Sequence, residues 1–234
     1  MPRRLRLVVP GLPMHITQRG HDRAPIVADP YDSARFLACV RRASLHTKCA
    51  IHAYAVMSNH THFLVTPPSV TAAGRMIQLL GRLYVPYFNT RHRRSGTLWE
   101  RRYSSVVVDT SAYFLACCRY IELNPVTAGM VKAPSDYEWS SYAHLGCGQA
   151  NDLITPHPEY LGLGDTPAQR ASAYRAICAA PNGNRARPII RAATRRGGVL
   201  GGEEFRRNLE RVLGRTIPPP PRRWRHKDQD TRPH

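Results

Sequence analysis

Lysine, long apolar runs and CxxC cysteine pairs are scarce or missing in this sequence of 234 residues. No stretch approaches the roughly 18 to 20 consecutive apolar residues that a membrane-spanning helix requires. The start of the chain is apolar only over residues 5–9, and Arg6 interrupts that stretch, which is not typical of a secretory signal. We therefore predict a cytoplasmic protein.

The cysteines are too scattered to indicate a metal or redox motif. None of the six belongs to a CxxC pair or to a zinc-finger spacing. A chain of this length can bury a sizeable core and does not need disulfides to stabilise it. We therefore predict that the cysteines are reduced and mostly structural.

Acidic residues are also few: 16 Asp and Glu stand against 34 Lys and Arg, which gives a formal net charge of +18. Nearly all of the bases are arginine, since lysine occurs only at Lys48, Lys132 and Lys227. Because a guanidinium group binds phosphate bidentately and stacks on bases, we expect a polyanionic partner.

The basic charge is concentrated near the end of the chain. Residues 185–232 contain 14 basic and five acidic residues, a net charge of +9. Glycine pairs and a proline run accompany them, so we predict a loosely ordered basic appendage around one short helix over residues 203–213. A solvated tail without a specific task is the alternative.

Hydrophobic spacing upstream predicts alternating strands and helices. The expected strands cover 14–18, 51–57, 60–66 and 104–108, and the expected helices cover 31–46, 71–89 and 111–124. The order β, α, β, β, α, β, then a helix, is typical of the split βαβ arrangement. We therefore predict an α+β, ferredoxin-like fold: an antiparallel sheet with helices on one face, plus a basic C-terminal extension.

Two histidines lie on one face of an expected strand. Because alternate strand residues share a face, His60 and His62 project side by side about 7 Å apart, while Thr61 faces the other way. That spacing lets two imidazoles bind one divalent metal. Ordinary surface or hydrogen-bonded histidines are the alternative.

A second candidate pair lies on the expected helix 111–124. Tyr120 and Asn124 are four residues apart and share a helix face. A tyrosine can act as a covalent nucleophile, and an amide oxygen can be a metal ligand. Two alternatives stay open here: Tyr120 as a packed, hydrogen-bonded residue, and Glu122 as a competing ligand. Pro125 also makes the direction of the Asn124 side chain uncertain.

Taken together, four ordered motifs within residues 14–145 resemble the REP-associated tyrosine transposases, relatives of the single-tyrosine insertion-sequence transposases in the HUH endonuclease superfamily. The matching segments are His15-Ile16-Thr17-Gln18-Arg19-Gly20, residues 53–63 around Met57-Ser58-Asn59-His60-Thr61-His62-Phe63, residues 96–103, and residues 120–129 from Tyr120-Ile121-Glu122-Leu123-Asn124-Pro125. Thr61 and Thr127 depart from the family pattern, and neither position carries the chemistry.

The resemblance implies a role for each matching site residue. His60 and His62 would bind Mg²⁺ or Mn²⁺ with Asn124 as the third ligand, and Tyr120 would be the nucleophile. The implied enzyme is a metal-dependent single-stranded DNA endonuclease and strand transferase that binds REP-type hairpins and cleaves through a 5′-phosphotyrosine intermediate. We assign residues 1–145 to the catalytic domain and residues 146–234 to the basic extension, partly helical and partly a disordered Pro/Arg-rich tail.

Arginines beside an aromatic residue suit a single-stranded substrate, because bases stack on the ring while guanidinium groups hold phosphates. We predict these DNA-binding residues: Arg19, Arg23, Arg91, Arg93, Arg94, Trp99, Arg101 and Arg102. For Trp99, burial in the core is the alternative. The basic extension would clamp the hairpin stem.

Other interpretations belong to different functional classes. A protein of the same fold could bind DNA hairpins sequence-specifically while its catalysis is idle. An RNA-binding module should display aromatics on its central strands, and the strand 60–66 offers only Phe63. We expect a monomer, with a dimer as the alternative, in the bacterial cytosol and associated with the nucleoid.

Overall fold

The computed structural model describes residues 6–180 and 186–217. Its strands are β1 Met14–Arg19, β2 Ala50–Val56, β3 His60–Thr66, β4 Ser104–Val108 and β5 Val199–Leu200. Its α-helices are α1 Pro30–Thr47, α2 Ala72–Arg91, α3 Thr110–Glu122, α4 Asn124–Thr127, α5 Tyr142–Leu145, α6 Pro158–Leu161, α7 Pro167–Ala179, α8 Ala186–Arg196 and α9 Glu203–Leu213. The strands expected at 60–66 and 104–108 and the helix expected at 203–213 have their predicted bounds.

The described strands form one sheet in the order β2-β3-β1-β4-β5. The pairs β2–β3, β3–β1 and β1–β4 are antiparallel, and only the two-residue β5 runs parallel to its neighbour. With α1 between β1 and β2 and α2 between β3 and β4, this confirms the α+β, ferredoxin-like fold.

Helices cover both faces of the sheet. One face buries Met14, Ile16 and Phe63 against α1 and α2. The other buries Leu64 and Val106 against α3, α7 and α8. The expectation that helices lie on one face therefore holds for α1 and α2 only. Alternate residues of the central strands are apolar on both sides, so each side needs a helical layer.

The C-terminal region departs from the prediction of a loosely ordered appendage. Residues 186–217 form α8, β5 and α9, and their apolar side chains Ile190, Leu200, Leu209 and Ile217 are buried. In α8 and α9 the buried positions share one face of the helix, and the basic residues lie between them in the sequence. A segment rich in arginine can therefore still pack on the sheet. The proline run and the predicted disordered tail, residues 218–234, lie outside the described residues.

The six cysteines are free thiols, and all except the exposed Cys147 are buried, in agreement with their predicted structural role. In the described part of the chain, no helix is both long and apolar enough to cross a membrane. The division of the chain at residue 145 stays a prediction. Strand β5, which belongs to the predicted extension, pairs with β4 of the main sheet.

Candidate active site

Strand pairing positions the two candidate metal ligands. On β3, His62 lies opposite Thr17 and His60 opposite Arg19, at the end of β1. Both histidines point to the sheet face that α3 covers, since they alternate with Phe63 on the other face. Their ring centroids are 4.9 Å apart. The predicted side-by-side arrangement is therefore present.

The Nδ1 nitrogen of each histidine has a hydrogen-bond partner within the protein. Nδ1 of His60 lies 2.7 Å from Oδ1 of Asn59. Nδ1 of His62 lies 2.9 Å from Nε2 of His15 and 3.2 Å from the Thr17 hydroxyl. This leaves the Nε2 nitrogen of each ring for an external ligand.

Burial keeps both imidazoles neutral. It lowers the pKa of His60 to about 4, and the nearby Arg19 adds to the effect. Burial also lowers the pKa of His62 well below its ordinary value, with further contributions from His15 and His60. The neutral imidazole is the form that ligates metals.

Helix α3 brings Tyr120 against His62 and its neighbour His15. The Tyr120 ring meets His15 and His62 edge-on, with centroid distances of 5.6 and 5.7 Å. Burial raises the pKa of the phenol, whereas the charges of Arg187 and Arg191 on α8 lower it. Helix α8 therefore supplies positive charge that offsets part of the effect of burial on the Tyr120 phenol.

Pro125 explains the position of Asn124. Because proline has no N–H, the Ile121 carbonyl lacks its normal helical partner, and α3 ends at Glu122. The Nδ2 group of Asn124 donates instead to the carbonyls of Tyr120 and Ile121, at 2.8 and 3.3 Å. Since both partners are acceptors, the amide orientation is fixed, and Oδ1 is the atom left for a ligand.

Glu122 is not available as a ligand. It is fully buried, and its carboxyl oxygens accept hydrogen bonds from Ser141 and from Tyr174, the latter at 2.6 Å. It faces α7 and residues 140–142, as its offset of two residues from Tyr120 suggests.

The residues present fit a divalent cation. In residues 6–180 and 186–217, no three His, Cys, Asp or Glu side chains form a group that could hold a metal. The resemblance implies Asn124 as the third protein ligand, and the amide oxygen is the atom that its own hydrogen bonds leave open. Amide oxygen suits Mg²⁺ or Mn²⁺, and imidazole accepts a wider range of divalent ions, so the donor set does not select one metal.

Several predicted DNA-binding residues gather at the His60 end of β1. Residues 98–100 run beside this end, because Glu100 N donates to Arg19 O at 3.0 Å and Gly20 forms a bridge with Trp99. Arg101 and Arg102 follow and are exposed. Trp99 is half-buried against the α1–α2 core. This position is intermediate between the two alternatives for Trp99, stacking on a DNA base and burial in the core. Arg23 is exposed in a 3₁₀ turn after β1.

The remaining predicted DNA-binding residues lie at the end of α2. Arg91 is engaged inside the protein, since its guanidinium contacts Asp29 at 2.7 Å and Asp32 at 2.5 Å. Its DNA contact stays a prediction, and this ion pair does not favour it, because the two carboxylates already occupy the guanidinium group. Arg93 is exposed and Arg94 half-buried beyond the helix, and no described contact joins them to the histidine pair.

Sequence reasoning missed the residues that surround the predicted ones. His15 and Thr17 belong to a quoted motif but received no role, although their alternation on one strand face could have indicated one. The contributions of Arg187, Arg191 and Thr194 from α8 have no comparable local signal. They depend on how α8 packs against α3 and β4.

The chain is similar to two solved structures. One, a REP-associated tyrosine transposase bound to a REP hairpin, shares 17% identity at a TM-score of 0.50, covering 66% of this chain and 94% of that one. The other, a putative transposase from Deinococcus radiodurans, shares 20% identity at a TM-score of 0.33, covering 49% and 91%. At such identity the first likeness concerns the fold alone.

No curated protein matches the sequence. The model of the IS200-like transposase family matches residues 8–124, half of the chain. That segment holds β1 to β4 with the histidine pair and the helix that carries Tyr120, and it ends at Asn124, the first residue of α4. The chain therefore belongs to the family of IS200-like transposases.

Proposed function

We propose that this transposase cuts and rejoins single-stranded DNA through Tyr120, with a divalent cation held by His60, His62 and Asn124. The observation that carries the proposal is the position of the Tyr120 ring, edge-on to His62 at 5.7 Å, while the His62 ring lies 4.9 Å from that of His60. The Nδ1 nitrogens of His60 and His62 are engaged within the protein, which leaves Nε2 of each ring for a ligand. Tyr120 and His62 come together although they lie in distant parts of the chain.

The proposed step is a transesterification. The Tyr120 oxygen forms a bond to the scissile phosphorus, the bond from phosphorus to the 3′ oxygen breaks, and a 5′-phosphotyrosine and a free 3′-hydroxyl result. The phenol proton must leave during attack, and Arg187 and Arg191 favour this by stabilising negative charge beside Tyr120. A divalent cation, when bound, offsets the charge that develops on the phosphate oxygens.

Because the covalent intermediate conserves the phosphodiester energy, a 3′-hydroxyl from another strand can reverse the step without ATP. Strand transfer therefore follows from the same residues. We propose that one chain acts as a monomer, since the helix that bears Tyr120 packs over histidines of the same chain.

We further propose that the substrate is a REP-type DNA hairpin with an adjoining single strand. Two observations support it. The fold is similar to that of a transposase bound to such a hairpin, and Arg19 lies opposite His60 with Trp99, Arg101 and Arg102 beside this end of β1. Guanidinium groups beside an indole suit phosphates and an unstacked base. The strand entering this edge would deliver a phosphate to the histidine pair.

The test is covalent trapping. Wild-type protein and Tyr120→Phe are mixed with end-labelled single-stranded hairpin oligonucleotides drawn from repeats flanking the gene, with Mn²⁺ or with EDTA, and separated under denaturing conditions. Tyr113→Phe is the matched control, since Tyr113 is also half-buried on α3 but lies two turns from Tyr120.

We expect an adduct on the 5′-phosphate side in wild type and Tyr113→Phe, dependent on Mn²⁺ and absent from Tyr120→Phe. Tight hairpin binding without an adduct in any protein would instead support the catalytically idle hairpin-binding protein. An adduct that persists in Tyr120→Phe would refute Tyr120 as the nucleophile.

A further inference from the structure

A buried chain of hydrogen bonds leads from α8 to the candidate metal ligand His62. The Thr194 hydroxyl on α8 lies 2.8 Å from Nδ1 of His15. The other ring nitrogen of His15, Nε2, lies 2.9 Å from Nδ1 of His62. All three side chains are buried, with exposed fractions of 5%, 0% and 5% for Thr194, His15 and His62. Water therefore does not compete for these groups.

The direction of the first hydrogen bond is fixed at Thr194. Its hydroxyl oxygen lies 2.8 Å from the carbonyl oxygen of Ile190, one helical turn earlier. A carbonyl has no proton to give, so the hydroxyl must donate to it. Because a hydroxyl has one proton, Thr194 can only accept from the imidazole. Nδ1 of His15 must therefore carry a proton and donate it to Thr194.

The second hydrogen bond follows from the first. His15 is fully buried, and its two ring nitrogens contact Thr194 and His62, neither of which carries a negative charge, so the ring is neutral and carries one proton. With that proton on Nδ1, Nε2 of His15 has a lone pair and can only accept. Nδ1 of His62 must then donate to it. A neutral His62 protonated on Nδ1 has its remaining lone pair on Nε2, the nitrogen that can ligate a metal.

We propose that His15 and Thr194 are positioning residues that hold the proton of His62 on Nδ1 and so keep its Nε2 as a lone-pair donor to the divalent cation. The inference deepens the proposed function and rests on it for the identity of the bound ion. The hydroxyl of Thr17, 3.2 Å from the same nitrogen, cannot set this direction alone because it can either donate or accept.

The opposite proton order would disable the ligand. If the His15 proton lay on Nε2, His62 would accept it at Nδ1 and carry its own proton on Nε2, where it would block the metal. Outer groups that orient a ligating histidine typically change metal affinity 10–100-fold when removed. Thr194 lies outside residues 8–124 that match the family model, so this chain orients its metal ligand from its C-terminal region.

The experiment reads the proton positions directly. Long-range ¹H–¹⁵N correlation spectra of metal-free protein labelled at histidine nitrogens distinguish Nδ1–H from Nε2–H rings, and the spectrum of His62→Gln assigns the His62 signals. Mn²⁺ affinity is measured separately by titration with electron paramagnetic resonance. Neither readout requires DNA cleavage.

The test variant is Thr194→Val, which keeps the shape and removes the acceptor, and Thr194→Ser should restore it. Thr47→Val is the matched control. Thr47 is also buried and donates to the carbonyl four residues earlier, at 2.8 Å from Ala43, but it lies on α1 away from His15. Thr47→Val tests whether losing a hydrogen bond from a threonine hydroxyl to a helix carbonyl is by itself enough to disturb the site.

We expect His62 to carry its proton on Nδ1 in wild type, Thr194→Ser and Thr47→Val. In Thr194→Val we expect the proton on Nε2 and Mn²⁺ affinity 10–100-fold weaker. A wild-type His62 protonated on Nε2 would overturn the proposal, even if Thr194→Val did not fold. So would a folded Thr194→Val with unchanged spectrum and affinity. A wild type that binds no Mn²⁺ but shows Nδ1–H would refute the proposed metal site and support the hydrogen-bond assignment.

Discussion

Glu122 offers a test of how the helix that carries Tyr120 is held in place. The carboxyl is fully buried between α7 and residues 140–142, and burial raises its pKa from an ordinary value of 4.5 to about 8. The hydrogen bonds from Ser141 and Tyr174 lower the pKa, but burial outweighs them. At neutral pH the folded protein therefore holds a protonated Glu122.

The surroundings suit a neutral carboxyl group. In the neutral acid the hydrogen bond with Ser141 reverses: the protonated carboxyl oxygen donates to the Ser141 hydroxyl, which itself donates to the Tyr54 carbonyl at 3.3 Å. The Tyr174 hydroxyl still donates to the other carboxyl oxygen. Every polar atom of the neutral acid then has a partner, whereas the charged form would be buried without a counterion among the described residues.

The pH dependence follows from linkage. Between pH 4.5 and about 8 the unfolded chain has released the proton and the folded chain has not, so the free energy of unfolding falls as pH rises. At about 1.36 kcal/mol per unit, the loss from this one group is roughly 2.5 kcal/mol between pH 5 and pH 7. Below pH 4.5 the contribution is fully present.

The assay is urea unfolding of wild type and Glu122→Gln at pH 5, 6, 7 and 8. The buried histidines have lowered pKa values and give stability changes of the opposite sign, but they are common to both proteins and cancel in the difference. We expect the stability of wild type relative to Glu122→Gln to fall by roughly 2.5 kcal/mol from pH 5 to pH 7. Glu138→Gln, which removes an exposed carboxyl, is the control. A relative stability that does not change with pH would refute the assignment of a neutral buried acid.

Four further predictions concern the fold and the DNA-binding edge. Asp32→Asn should cost about 2–4 kcal/mol in urea unfolding, because the fully buried carboxylate pairs with Arg91. Arg101→Gln should reduce the slope of log affinity against log salt for a DNA hairpin by about 1, whereas Arg91→Gln should leave that slope unchanged and lower stability. Gly20→Ala should lower the thermal midpoint by several degrees, because the added Cβ would lie 2.2 Å from the Ala24 carbonyl oxygen. Arg187→Gln should slow adduct formation at Tyr120 about 10-fold in single-turnover trapping, without changing hairpin affinity by more than about 2-fold.

Local patterns were sufficient wherever one strand or helix determined the outcome. The alternation of His60, Thr61 and His62 predicts which side chains share a face, and Thr61 is indeed buried on the opposite side. Helical spacing likewise predicts that Tyr120 and Asn124 lie together. Pro125 made the direction of Asn124 uncertain, and the structure shows why it is defined: the missing N–H leaves a carbonyl that the Asn124 amide satisfies.

The positions of charged residues in the sequence did not indicate which of them pair inside the protein. Arg91 has the same local surroundings in the sequence as Arg93 and Arg94, yet only Arg91 meets Asp29 and Asp32. These carboxylates lie about 60 positions earlier, at the start of α1. Sequence alone gives no measure of which arginine pairs inside the protein and which remains for phosphate, because that depends on the packing of α1 against α2.

The structure of the C-terminal region also could not be predicted from its composition. Its composition suggested an appendage, but α8 packs on α3 and places Thr194 against His15 and two arginines near Tyr120. Residues 8–124 thus contain the proposed nucleophile and the proposed metal ligands, but not helix α8, which contacts His15 and contributes positive charge at Tyr120. Removing residues from 186 onward would expose the sheet face that carries His60 and His62 as well as delete basic charge. Only a truncation that begins at residue 218 therefore tests hairpin clamping without disturbing the proposed active site.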